Sequence, residues 1–117
     1  MNTDYEFNDC GVCINPKETF RLKSRNGLLI IRVAECDRGF ISGNSWVVAT
    51  TGGSSPVSNY KGVRTFSSEQ EATKWELDRM VEYFAEGWSE GAKEFAEDIR
   101  KEREKRSVTQ LSLFERW

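Results

Sequence analysis

TFRLKSRNGLLIIRVAE, residues 19–35, is the stretch on which the fold turns. Phe20 and Leu22 alternate with Arg21 and Lys23, the two-residue period of a half-buried strand, and residues 28–35 are rich in the branched apolar side chains that pack on a pleated surface. Between the two runs lies Arg25-Asn26-Gly27, whose Asn-Gly pair tolerates the positive φ of a two-residue hairpin turn. The runs are therefore expected to pair antiparallel.

Working outward, Asp37-Arg38-Gly39 repeats the turn chemistry and leads into FISGNSWVVAT, residues 40–50. Gly43 and Asn44 are read as a bulge or second turn, with residues 46–49 the stronger strand. The run TTGGSSPVSN, residues 50–59, is rich in Gly, Ser and Pro and reads as the longest flexible loop, after which GVRTF, residues 62–66, returns as a short edge strand. A meander of three or four strands results. Residues 1–18 lack a sustained period and form an irregular lead-in.

At FSSEQEA, residues 66–72, the period changes. Ser68 followed by Glu71 fits a capping box, and acidic residues crowd the first turn, where the helix dipole favours them. Ala72, Trp75, Leu77, Met80, Val81, Phe84 and Trp88 recur at steps of three and four, the apolar stripe of a helix over residues 69–86 that covers one face of the sheet. Gly87 and Gly91 break it, and a second helix is expected over residues 90–106 with Ala92, Phe95, Ala96 and Ile99 as its packed side. Residues 100–106, RKEREKR, are all charged and are expected to project into solvent.

The composition agrees with one domain. A chain of 117 residues with seven Phe, four Trp and three Tyr is large enough to close a core. The net charge of −2 supplies no general attraction for nucleic acid or anionic membrane. No apolar stretch is long enough to span a bilayer, and the acidic beginning MNTDYEFNDC lacks the basic-then-apolar order of a secretory signal, so a cytoplasmic protein is expected. The absence of histidine removes the commonest general base and metal ligand, and no catalytic constellation is legible. A non-enzymatic protein without a cofactor is the expectation.

Three weaker patterns are set against bland readings. Cys10 and Cys13 have the spacing of half a zinc knuckle, but Cys36 supplies only a third thiolate, and ordinary reduced cysteines account for all three. The Gly52-Gly53 run lacks the strand-turn-helix order of a phosphate loop. Arg21, Lys23, Arg25 and Arg32 can share a sheet face near Phe20 or Trp46, a basic strip suited to nucleic acid or simply to water.

The last motif is the sharpest. Gln110-Leu111-Ser112-Leu113-Phe114 resembles at all five positions the pentapeptide Gln-Leu-(Ser or Asp)-Leu-Phe through which clients dock on the bacterial β sliding clamp of DNA replication. With average residue usage, that pattern arises by chance in on the order of one in several thousand chains of this length. The resemblance implies a clamp ligand in which Leu111, Leu113 and Phe114 fill apolar pockets, Gln110 sets register by hydrogen bonds and Ser112 faces outward. The competing reading is structural: SVTQLSLF alternates, so residues 108–114 suit a final edge strand. More faintly, the small meander, the GGSSPVS loop and FSSEQEA resemble small uncharacterised proteins of bacteriophages and plasmids.

The expected architecture is α+β. Residues 1–106 form one domain, with a three- to four-stranded antiparallel meander over 19–66 and two helices over 68–106 on one face; residues 107–117 form an extended linear-motif tail. The expected function is accessory or modulatory, in replication or repair, through the clamp. The alternative is a small nucleic-acid-binding module with the last segment packed as a strand.

Overall fold

The computed structural model describes residues 4–115, and the side chains of residues 4–106. Four strands follow one another as a meander in the order β1-β2-β3-β4: β1 (Lys17–Ser24), β2 (Gly27–Cys36), β3 (Gly39–Val48) and β4 (Thr51–Ser55), every neighbouring pair antiparallel. Two helices follow, α1 (Glu69–Ala85) and α2 (Ala92–Glu115). The class is α+β, with a sheet and then two helices on it.

The opening hairpin forms as the alternation requires, with Phe20 opposite Ile31 and Leu22 opposite Leu29. Its loop is Arg25 and Asn26, one residue earlier than the Asn-Gly pair implies, because Gly27 is already paired with Ser24. Asp98 of α2 fixes this turn, accepting from Ser24 Oγ at 2.6 Å and from Asn26 Nδ2 at 2.8 Å.

Three local readings are corrected. Gly43 and Asn44 sit in unbroken pairing with Arg32 and Ile31, so no bulge or turn interrupts β3. Gly43 is required there for a different reason: a Cβ would lie 2.5 Å from the Ser55 carbonyl oxygen and 2.8 Å from the Val57 nitrogen, since the chain leaving β4 crosses directly over it. Second, TGGSS is a strand and not a loop, because pairing with β3 satisfies the backbone that Gly and Ser leave without side-chain support. Third, residues 62–66 contribute a single bridge, Phe66 to Phe40, and no edge strand.

The two faces of the sheet are covered differently. Phe20, Leu29, Ile31, Trp46 and Val48 meet Leu77, Met80, Val81 and Phe84 of α1 and Ala92, Phe95, Ala96 and Ile99 of α2. On the other face the lead-in folds back, so that Tyr5, Phe7 and Cys13 pack with Ala34, Cys36, Ile41 and Val57. The bridges Phe7 to Cys13 and Val12 to Ser58 hold that cover in place.

Helix α1 begins as its sequence implies. The Ser68 hydroxyl accepts from the Glu71 N–H at 3.1 Å, while the Glu71 carboxylate takes the Ser67 N–H and hydroxyl instead of the Ser68 N–H. Trp88 lies beyond the helix and leaves the stripe; its indole N–H donates to the Tyr83 carbonyl at 2.8 Å. Helix α2 runs further than residue 106 because residues 92–115 contain neither Gly nor Pro and are rich in Glu, Lys, Arg and Leu, all strong helix formers. Its charged stretch is not wholly turned to water. Arg103 pairs with Asp78 of α1, and Arg106 stands 4.3 Å from the Phe20 ring centroid while donating to the Arg21 carbonyl.

Candidate functional site

Gln110, Leu111, Ser112, Leu113 and Phe114 fall within the helical backbone of α2, where the sequence reading has an extended tail or a final strand. Their side chains, and with them the pocket roles implied by the clamp motif, lie outside the described residues. The last described side chain before them is Arg106, four residues ahead of Gln110, and it is tied to β1.

The basic strip is partly assembled. Pairing of Arg21 with Ile30, Lys23 with Leu28 and Arg32 with Glu18 puts the three cations on the face opposite the helices, while Arg25 sits exposed in the turn. Arg21 is ion-paired with Glu18 at 2.7 Å and Arg32 donates to Ser45 Oγ at 2.9 Å. The Arg21 hydrogen bond holds the Glu18 carboxyl below its ordinary pKa, with Arg32 adding a smaller contribution. Phe20 and Trp46 belong to the helix-covered core, so neither stands beside this strip as a stacking platform. Strand parity explains the separation: residues one apart point to opposite faces.

The cysteines are dispersed in environment. Cys10 is exposed, whereas Cys13 and Cys36 are buried in the rear cluster. Burial raises the Cys13 thiol above its ordinary pKa, and that thiol donates to Asn15 Oδ1 at 3.6 Å. Among the described residues, no group of three or more Cys, Asp or Glu side chains is placed to hold a metal ion. Nor is any described helix long and apolar enough to cross a membrane.

A buried polar cluster lies elsewhere, between α1 and β3. Glu76 is 2% exposed, and its carboxylate accepts from Ser42 Oγ at 2.9 Å, from Asn44 Nδ2 at 2.9 Å and from Arg79 Nη2 at 3.3 Å. Desolvating a carboxylate costs several kcal/mol, and this donor set is what offsets it. Arg79 in turn lies 4.9 Å from the Trp75 ring centroid, and Arg64 lies 5.5 Å from the same ring. Beside the cluster, Trp46 stands edge-on to Tyr83 at 5.8 Å and to Trp88 at 5.3 Å, an aromatic group at the surface end of the core.

The sequence held a signal for this cluster. Glu76 comes four residues after Ala72 and four before Met80, both buried, so helical spacing alone puts a carboxylate on the apolar stripe. Such a residue needs donors from the facing strands. Ser42 and Asn44 are two apart on β3, so they share a face.

A cleft of about 470 Å³ runs between β4 and α1, lined by Trp46, Gly53, Ser55, Arg79, Met80 and Tyr83 among others. A smaller cavity of about 100 Å³ adjoins it through Ser55 and Arg79 and reaches Glu76 and Arg64. Against this geometry, no protein-family model, curated protein or solved structure matches the chain, so its possible roles rest on its own residues.

Proposed function

We propose that the protein is a non-enzymatic accessory or modulator of bacterial or phage DNA replication or repair that binds the β sliding clamp through residues 110–114. The observation that carries this reading is the match at all five positions, Gln110 to Phe114. The anchoring of α2 supports it. Arg103 and Arg106 fasten the helix to α1 and β1, which presents the pentapeptide within about a turn of a fixed point on the body. A clamp groove of this kind takes its ligand extended, so docking entails unwinding the last turns of α2. Terminal helical residues have propagation constants near unity, and releasing about five of them costs on the order of 1 kcal/mol.

The test uses a nine-residue peptide of sequence TQLSLFERW and the whole protein against a purified clamp. Both bind, and Leu113→Ala combined with Phe114→Ala removes binding at least tenfold. Absence of binding by the whole protein and by the peptide would end the proposal. The second reading, a nucleic-acid module, draws on the shared face of Arg21, Lys23 and Arg32. It requires salt-dependent DNA or RNA binding that survives deletion of residues 108–117 and fails when those three cations are neutralised.

A further inference from the structure

Strand β4 is the outermost strand on its side of the sheet, and among the described residues no strand lies beyond it. Its pairs are Val48 with Thr51, Trp46 with Gly53 and Asn44 with Ser55, closed by the two-residue turn of Ala49 and Thr50. In such a ladder Thr51, Gly53 and Ser55 bond inward, and Gly52 and Ser54 turn their N–H and C=O groups outward. Natural edges are usually blunted by Lys, Pro, bulges or covering segments. TGGSS carries no charged side chain.

The helix-side rim of that edge is the 470 Å³ cleft, so β4 forms one wall of a groove and α1 the other. The floor is Trp46, whose indole lies over Gly53 so closely that a Cβ there would come within 2.7 Å of the ring. At one end stands Arg79, its side chain 48% exposed.

We propose that this groove binds an extended acidic peptide as a fifth strand on β4. One apolar side chain of the peptide rests on Trp46, Met80 and Tyr83, and an acidic side chain two residues along, about 7 Å away on the same face, meets Arg79. Charge complementarity selects this occupant. Arg79 and Arg64 stand on one indole, while the carboxylate between the strands and α1, Glu76, already accepts from Ser42 and Asn44 and reaches Arg79 only at 3.3 and 3.4 Å. Two cations, Arg64 and Arg79, and one carboxylate, Glu76, line the small cavity at that end, and a second carboxylate completes the balance.

The test titrates the whole protein, by amide NMR, with the synthetic probe acetyl-TTLTETT-amide and with its counterpart bearing Gln for Glu. Shifts concentrate on residues 51–55, Trp46 and Tyr83, and the Glu probe binds about three- to tenfold more tightly than the Gln probe. Arg79→Gln makes the two probes equal. Ser54→Pro abolishes binding of both, because it removes an outward N–H at an edge position where proline is tolerated. A Glu probe N-methylated at alternate amides, used on the unaltered protein, also fails to bind, which keeps the outcome independent of whether the proline variant folds. Absence of shifts along β4, equal affinity of both probes for the unaltered protein, or undiminished binding of the N-methylated probe overturns the proposal.

Discussion

The two edges of the sheet are built on opposite plans. At β1, Lys17 pairs with Glu69 at 3.0 Å, Thr73 donates to Thr19 at 2.8 Å, and Arg106 covers Phe20 and caps the Arg21 carbonyl. A break in register between Glu18 and Phe20 adds a bulge. All of these are devices that deny the edge to another strand. At β4 the side chains are small, no helical arm crosses the outside among the described residues, and the polar contacts sit beneath the surface in Glu76 and its donors. A sheet can thus protect one edge with exposed charge and leave the other receptive, provided the receptive side is held from within.

The largest effect expected on that contrast comes from Glu76→Ala. It strands the Asn44 amide and Ser42 hydroxyl without their acceptor and lowers stability by about 3 kcal/mol, read as a drop in urea midpoint. Next comes Gly53→Ala, which forces the Trp46 ring off the strand and costs about 1–2 kcal/mol with a change in tryptophan fluorescence. At the opposite edge Arg106→Ala removes a surface cation–π contact, the hydrogen bond to the Arg21 carbonyl and the exposed ion pair with Glu102, a loss of about 1 kcal/mol. If Arg106→Ala proved more damaging than Glu76→Ala, the assignment of exposed and internal support to the two edges would be reversed.

Smaller still is the pH response of the β1 edge. The folded pKa of Glu18 is depressed, so its contribution is present above the ordinary carboxylate value and lost as pH falls through the folded one. The folded pKa of Lys17 is raised, chiefly by its hydrogen bond to Glu69, so that contribution is present below the ordinary lysine value and fades as pH rises through the folded one. NMR titration of both groups checks the two directions. Thiol labelling probes the rear face without altering it: Cys10 reacts first in the native protein, and Cys13 and Cys36 react with it only after unfolding.

Hydrophobic period and turn chemistry were enough to read the first hairpin, the start of α1 and the packed side of α2, since each depends on neighbours within a few residues. TGGSS has the composition of a loop, and its strand character comes from the partner β3 and not from any preference of Gly or Ser. Trp88 was placed on the helix stripe by spacing, whereas the chain leaves α1 at Ala85 and turns the indole back toward Tyr83. Of the candidate sites, strand parity puts Arg21, Lys23 and Arg32 on one face, whereas Arg25 lies in the turn and Phe20 and Trp46 lie on the opposite face. The donors of Glu76 are more than thirty residues away in sequence, so its partners are not legible in local pattern.

By itself, then, the sequence determined the class of fold, the succession of an antiparallel meander and two helices, and the pentapeptide Gln110 to Phe114, because periodicity and a short motif are local properties of the chain. Only tertiary structure decided that a buried carboxylate would tie α1 to β3, that the lead-in would cover the rear of the sheet, and that β4 would stand at the sheet edge beside Arg79. Those outcomes depend on which distant residues come to share a face, and local pattern does not encode that choice.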